Sequence, residues 1–367
     1  MERKEQANCI KYTNFDGIRI AEFRRGPVTE YIISASCGQN EGFADFLLKM
    51  QSLPALSETS VISQDIFGPH IEDPTITDPG HPVTWIQPPD YSGSCFQSTQ
   101  IWAVKGLPVQ RITYNQHVLG SLFEDDHTRI CRLGGLGTTD PGISRQTQSR
   151  NTFIEMQQIL LQAGMNFGNV LRTWFYNDHI LDWYDEFNRV RTQLFKDYNM
   201  APADLPASTG IGGSNPSGSA LTAGLLAVTA KNPNTAWKSI ESPMQKNPGR
   251  YGSSFSRAAE LATPDYRRLF ISGTASISRD GRTLHTSDIE KQIALTMQVV
   301  QSILESREMY WADSTRALVY LKEACFCDAW YNWCSRQNVS LPHCFLHADI
   351  CRNDLLFEIE LDAVSIN

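Results

Sequence analysis

The order of strand and helix patterns repeats along the chain, and this repeat limits the possible folds more than any other feature. In the last third, residues 268–276 read as a strand, and apolar side chains at every third or fourth position of 289–304 predict a helix. Ser287-Asp288-Ile289-Glu290 has the form of a capping box at the start of that helix. Residues 315–320 predict another strand, and a polar helical stretch and two closing strands follow. The predicted order is β-β-α-β-α-β-β.

The other two thirds of the chain show the same order. The middle third repeats it as a helix at 153–163, a strand at 169–176, a helix at 180–195 and closing strands from 206 to 228. The first third is a weaker copy, with a helix at 43–50, a strand at 61–67 and closing strands at 85–87 and 101–104, and a loop in place of the second helix. The long helices are expected to start near residues 43, 149 and 288, and this even spacing is typical of a repeated domain.

We therefore predict an α+β fold made of three tandem units. The expected units are 1–120, which is the divergent N-terminal copy, 121–232, and 250–367 at the C-terminus. The Pro-, Gly- and Asn-rich run at 231–252 is interpreted as the linker between the second and third units.

The amino-acid composition limits which binding partners and which cellular location are expected for the protein. The 367 residues carry a formal charge of −8, so a nucleic acid partner is not expected, whereas two or three arginines suffice to bind a small anion. The charged start of the chain lacks an apolar run, and no window has the roughly 20 apolar residues that span a membrane. We expect a cytoplasmic protein with free thiols and no membrane contact.

A metal site is considered because cysteine and histidine residues cluster between 325 and 351. Structural zinc sites usually pair their cysteines at Cys-x2–4-Cys spacing, whereas Cys325 and Cys327 have one residue between them. We predict no metal and no cofactor.

The last two predicted strands carry the candidate chemistry. Over residues 343–351 the odd-numbered face is reactive, with two histidines, Asp349 and Cys351, and the even-numbered face is apolar. Glu358 and Glu360 then share one face of an otherwise apolar strand. The alternation of polar and apolar side chains alone is equally compatible with a solvated sheet face and with a face that lines a cleft. In an apolar cleft, burial would raise the pKa of a carboxyl group and make it a proton donor near neutral pH.

The third unit resembles the Rid (YjgF-like) superfamily across its whole length. The resemblance rests on four segments: Ser256–Ala258, Leu269–Gly273, Asp288 with Gln292, and Leu355–Glu360. In Rid deaminases, the first glutamate of the closing motif lies in the active site at a subunit interface, and Glu358 stands at that position here. The arginine that these deaminases use for the substrate carboxylate is replaced by His343.

The middle unit resembles the chorismatase branch of that superfamily. Arg172–Tyr176 is similar to the motif Arg-x-Trp-Asn-Tyr, Asp185–Arg191 to a segment with Phe-x-x-Gly-Arg, and Pro206–Gly212 to Pro-Ala-Ala-Thr-Ala-Ile-Gly. Further likeness, around Tyr251, Phe255–Ala258 and Ser272–Ser276, extends it over most of residues 145–365. The chain departs from the family pattern at Phe175, at Val190 and at Arg279–Gly281, which leaves the substrate open.

The resemblance implies an enzyme that cleaves chorismate, or a related enol-pyruvyl cyclohexadiene acid, to pyruvate and a hydroxybenzoate or dihydroxycyclohexadiene acid. Glu358 would be the catalytic acid, and Cys351 would assist the branch of the reaction, although a buried structural thiol fits Cys351 equally well. The expected ligands of the small anionic carboxylate substrate are Arg172, Arg191 and Arg257, the weaker Arg352, and the hydrogen-bond donors Tyr176, Thr209 and Tyr251.

Under this interpretation the site lies between the second and third units, and the chain is a monomer or a homo-oligomer. Two alternatives stay open. One is a Rid-type deaminase acting on an imine or enamine. The other is a non-catalytic Rid-like protein that binds a small molecule or a partner.

Overall fold

Three six-stranded sheets with the same internal strand order make up the molecule. In each sheet the first three strands form an antiparallel meander, the sixth strand pairs with the third, and the fourth lies between the sixth and the fifth. The computed structural model describes residues 10–88, 96–138, 140–246 and 254–367. Three copies of one topology in tandem confirm the predicted α+β fold of three tandem units, and each unit has one more strand before its long helix than the predicted order.

The bounds of the elements follow the repeat. The first unit contains β1 (Ile10–Phe15), β2 (Ile18–Arg25), β3 (Val28–Ser36), α1 (Phe43–Gln51), β4 (Ser60–Phe67), α2 (Pro74–Thr77), β5 (Val83–Ile86) and β6 (Ser98–Lys105). The second contains β7 (Val109–Tyr114), β8 (His117–Glu124), β9 (Thr128–Leu136), α3 (Arg145–Gln162), β10 (Val170–Asn177), α4 (Ile180–Asp197), β11 (Ala207–Gly212) and β12 (Leu221–Ala230). The third contains β13 (Ala236–Ile240), β14 (Ala258–Ala262), β15 (Tyr266–Ala275), α5 (Ile289–Ser306), β16 (Ser314–Leu321), α6 (Cys327–Gln337), β17 (His343–His347) and β18 (Phe357–Ile366).

Several boundaries differ from those expected. The second sheet begins at Val109, so the expected division after residue 120 falls inside β8. The segment interpreted as a linker contains β13, which is the first strand of the third unit. The strand expected over 343–351 ends at His347, and Cys351 lies in the loop that follows. Helix α5 is capped by Asp288, whose side chain accepts a hydrogen bond from the Lys291 N–H at 3.0 Å, so the helix starts at Ile289.

The central strands of each sheet are buried on both faces. One face packs on the long helices of its own unit, for example Phe153 of α3 against Phe175 of β10. The other face turns toward a shared core, to which each unit contributes, with Phe67, Trp174 and Phe270 among its members. Burial on both sides explains why these strands read as nearly continuous apolar runs.

The junction between the second and third units positions the candidate site. Strand β11 is the edge of its sheet and lies against β15 of the third unit. The Ser208 N–H donates to the Ser272 hydroxyl at 2.9 Å, and the Ser256 N–H donates to the Pro206 carbonyl at 2.8 Å. These contacts bring the polar end of β11 next to the closing strand β18.

Candidate active site

A small, partly open cavity lies at the junction of the second and third units. Its walls include Glu358, Cys351, Arg191 and Arg257, four of the residues predicted from the sequence. The cavity measures about 40 Å³, which is room for a few water molecules. The remaining wall is formed by Tyr184, Ser208, Gly210, Phe255, Gly273, Ala275 and Ile277.

Glu358 is the only carboxylic acid among the described residues that line this cavity. The residue is 5% exposed, and no other described residue hydrogen-bonds to its carboxyl group. Burial raises the pKa of Glu358 to about 8, and the nearby charge of Glu360 adds to this, while Arg257 and Arg172 act against it. Around neutral pH the carboxyl group is therefore mainly protonated and can serve as an acid.

A β-bulge places this acid against the backbone of β15. The register between β15 and β18 shifts between Ile271 and Thr274, so Gly273 lies within the bulge. A Cβ atom at position 273 would collide with the Glu358 Oε1 atom, so only glycine lets the strand approach this carboxyl group.

Two buried guanidinium groups supply positive charge at the cavity. Arg191 of α4 donates to Asn188 Oδ1 at 2.6 Å and to the Ser208 hydroxyl at 3.3 Å. Arg257 donates from Nε to the Lys246 carbonyl at 3.2 Å. The ring of Phe255 lies between them, with its centroid 5.3 Å from the Arg191 Cζ and 5.7 Å from the Arg257 Cζ.

Cys351 reaches the cavity from the loop after β17. Burial raises the pKa of its thiol to about 12, and the nearby Glu358 carboxyl adds to the rise. At neutral pH the side chain is therefore a neutral thiol, which can donate or accept a weak hydrogen bond but is a poor nucleophile.

Tyr184 is a cavity residue that the sequence analysis missed. It shares a face of α4 with Asn188 and Arg191, hydrogen-bonds to both, and lies over Gly210, where a Cβ atom would be 3.1 Å from its hydroxyl. Burial raises the pKa of the phenol, so it remains protonated. Its spacing of four and seven residues from Asn188 and Arg191 is the sequence signal that could have identified it.

The structure places Arg172 and Thr209 one layer deeper than the cavity, around Glu360. Glu360 Oε2 accepts hydrogen bonds from Arg172 Nη2 at 2.7 Å and from the Thr209 hydroxyl at 2.5 Å. Glu360 Oε1 accepts from Trp174 Nε1 at 2.9 Å and from Arg316 Nη2. Although burial opposes ionisation, these two arginines and the hydroxyl lower the pKa of Glu360 to about 2. Arg172 thus holds an internal carboxylate.

The other predicted ligands are separate from the cavity. Tyr176 is buried in the shared core and Arg352 donates to the Gly281 carbonyl at 2.7 Å, and neither lines the cavity. Tyr251 lies outside the described residues. Two departures from the chorismatase pattern, Phe175 and Val190, pack in the core of the second unit, on the side away from the cavity.

The repeated topology shows that the acid occurs once. The β-ladders align Glu358, which is opposite Tyr320, with Thr222, opposite Tyr176, in the second unit. In the first unit the corresponding residue is Ser98, opposite Phe67. Only the third copy has a carboxyl group at this position.

The described residues contain no group of three or more His, Cys, Asp or Glu side chains arranged to hold a metal ion. Among the same residues, no helix is both long and apolar enough to cross a membrane.

No family model matches the chain, whereas curated proteins and solved structures similar to it were found. The chain is 29% identical over 224 residues to a chorismatase of Streptomyces hygroscopicus, covering 54% of this chain and 63% of that protein. It is 25% identical over 245 residues to a 3-hydroxybenzoate synthase of the same organism, covering 60% of this chain and 70% of that protein. The alignment thus spans less than two thirds of the first relative's length.

Among solved structures, a crystal structure of a chorismatase shares the fold. It has a TM-score of 0.64 at 21% sequence identity, and the match covers 90% of this chain and 98% of that one. The chain thus has the fold of a chorismatase and is similar in sequence to chorismatases over about half of its length.

Proposed function

We propose that this protein is a chorismatase-type enzyme, which cleaves chorismate or a closely related enol-pyruvyl cyclohexadiene acid and releases pyruvate. The observation that carries the proposal is the pairing of a protonated acid, Glu358, with two buried arginines around one cavity. An enol ether needs a proton donor, and a dicarboxylate needs cations. Arg191 and Arg257 meet the second need.

The first chemical step is proton transfer from the Glu358 carboxyl group to the terminal methylene carbon of the enol ether. This carbon becomes a methyl group, and positive charge develops on the carbon and oxygen of the ether. Water adds to the ether carbon and loses one proton, which gives a hemiketal. The bond between this carbon and the ring oxygen then breaks, as the hemiketal hydroxyl loses its proton and the ring oxygen gains one. The products are pyruvate and a dihydroxycyclohexadiene acid, and the proton released on water addition restores Glu358.

A second outcome yields a hydroxybenzoate and pyruvate without net uptake of water. Cys351 lies at the same cavity as a neutral thiol, and we propose that it steers the intermediate toward this outcome. Because the empty cavity is smaller than the substrate, we expect the partly exposed Phe255 ring to turn aside when the substrate enters.

The surroundings of His343 favour chorismatase-type cleavage over imine deamination. It stands where Rid deaminases have the arginine for the substrate carboxylate, but here it is buried beside Trp330, and burial lowers its pKa to about 4. A neutral core histidine does not bind a carboxylate as an arginine does.

The test is pyruvate release from chorismate across a range of pH. The acid must be protonated, so kcat/KM should be highest below pH 8 and fall as pH rises through the pKa of Glu358, which is about 8. We expect Glu358→Gln to lower kcat by about 10²–10⁴-fold. Pyruvate release that does not exceed that of Glu358→Gln would refute the proposal, and ammonia release from an imine substrate would select deamination.

A further inference from the structure

The hydroxyl group of Thr209 bonds one glutamate of β18, Glu360, and the backbone of Gly273, which lies against the other glutamate, Glu358. It donates to Glu360 Oε2 at 2.5 Å and accepts from the Gly273 N–H at 3.0 Å. It also accepts from Arg172 Nη2 at 2.7 Å. Thr209 belongs to the second unit and its Gly273 and Glu360 partners to the third. The bonds to these two partners therefore cross the junction at which the cavity lies.

The hydrogen-bonding capacity of Thr209 is fully used. A hydroxyl group has one proton to donate and two lone pairs, and here each has a partner. Thr209 therefore has no donor left for a substrate, unlike the role expected from the sequence.

The direction of the Gly273 N–H decides whether the Glu358 carboxyl group receives a hydrogen bond from the backbone. Gly273 lies in the bulge, and its Cα is so close to Glu358 that a Cβ would overlap Oε1. An N–H of the same residue could turn to this carboxyl group if its present acceptor were removed. A hydrogen bond from a backbone N–H favours the ionised form of a carboxyl group and would weaken it as an acid.

We propose that Thr209 is a positioning residue, which takes up the Gly273 N–H and holds Glu360 so that the Glu358 carboxyl group keeps no donor and retains its proton. Arg172 supports this role because it fixes the same hydroxyl and the same Glu360 oxygen. The role rests on the proposed function, in which Glu358 is the acid.

Six other titratable or charged groups face Glu358, and of these only Glu360 and Arg172 bond the Thr209 hydroxyl. They come from its own strand, from β10, from α4, from the segment before β14 and from the loop after β17. They are Glu360, Arg172, Tyr184, Arg191, Arg257 and Cys351.

The test compares Thr209→Val, which removes the hydroxyl at similar volume, with Thr209→Ser, which keeps it. In Thr209→Val we expect the alkaline limb of kcat/KM to move down by about one pH unit, since the freed N–H stabilises the carboxylate. This lowers kcat/KM about tenfold at pH 9 and changes it little at pH 6. Thr209→Ser should follow the wild-type profile. An unshifted limb in Thr209→Val, or an equal shift in Thr209→Ser, would overturn the proposal.

A second measurement does not depend on turnover. Infrared titration of the free enzyme follows the C=O stretch of protonated Glu358, which is assigned by its loss in Glu358→Gln. The midpoint should fall in Thr209→Val and not in Thr209→Ser. If Thr209→Val does not fold, Thr209→Ala removes the hydroxyl without a methyl group against Gly273. A wild-type enzyme that releases no pyruvate would end the proposed function, while the titration would still decide the role of Thr209.

Discussion

Glu358 and Glu360 are two residues apart on one strand face, yet their surroundings drive them to opposite charge states. Both are buried, so desolvation raises the pKa of each. Glu360 accepts hydrogen bonds from two arginines, a tryptophan and a threonine, whereas no described residue donates to Glu358. The hydrogen-bond donors decide the charge state of each carboxyl group. The pKa is about 2 for Glu360 and about 8 for Glu358. Such separation of two carboxyl groups is a usual way to assign an acid.

Cys351 allows a prediction about products. Because its thiol stays neutral, we expect Cys351→Ala to retain pyruvate release within about tenfold, well short of the loss on removing a general acid. The ratio of hydroxybenzoate to dihydroxycyclohexadiene acid should fall, which chromatography of the reaction mixture measures. Cys325→Ala, at an exposed cysteine, is the matched control. An unchanged ratio in Cys351→Ala would favour a purely structural thiol.

For single residues, the sequence predicts which strand face carries the catalytic acid, but it does not predict which groups the arginines bind. Strand alternation places Glu358 and Glu360 together, and the family resemblance selects the first of them. Alternation does not reveal that Glu360 crosses a domain junction to bind Arg172, because that contact joins residues distant in sequence. For the same reason the sequence predicts Arg172 at the substrate, and it does not single out Tyr184, which lies in none of the family motifs.

Among the secondary-structure elements, the bulge in β15 and the strand β13 are not predicted by the sequence. A bulge adds one residue to a strand without a characteristic composition, so residues 268–276 read as a regular strand. Strand β13 has five residues and lies in a segment rich in Pro and Asn, which therefore resembled a linker. The long helices were easier to predict, since their apolar faces recur over several turns.

The bulge predicts the effect of a single methyl group. In Gly273→Ala the new Cβ would overlap Glu358 Oε1, so the carboxyl group must turn away from its present position. We expect kcat/KM for pyruvate release to fall by about 10²-fold, as for other small displacements of a catalytic group. The control is Gly38→Ala, where the Cβ would meet no atom closer than 3.6 Å. Activity near the wild-type level in Gly273→Ala would mean that the position of Glu358 is not critical.

For the whole molecule, the repeat predicted from the sequence is retained in topology but not in chemistry. All three sheets have one strand order, whereas the position of Glu358 is occupied by Ser98 and Thr222 in the other copies. The copies meet in a buried ionic cluster to which each contributes: Arg25 and Glu30 from the first, Asp125 from the second, and Tyr266 and Arg268 from the third. No sequence pattern indicated this cluster, because its members lie in different units.

This cluster predicts how the three units are held together. Glu30 is 1% exposed and binds both Arg25 and Arg268, so Glu30→Gln leaves the buried Arg268 guanidinium without its counter-charge and leaves Arg25 with Asp125 alone. We expect the free energy of unfolding at pH 7 to fall by about 3–5 kcal/mol, as when one partner of a buried ion pair is removed. Urea denaturation measures it. Glu58→Gln, which breaks an exposed pair with Lys105, should change it little.

The same contacts fix the sign of the pH dependence. The two arginines lower the pKa of Glu30 from 4.5 to about 2 in the folded protein, although burial acts in the opposite direction. A lowered folded-state pKa stabilises the fold above about pH 4.5, and this stabilisation is lost as pH falls toward 2. The difference in unfolding free energy between wild type and Glu30→Gln should therefore shrink between pH 5 and pH 3. A difference that is constant over this range would show that the charge of Glu30 does not hold the units together.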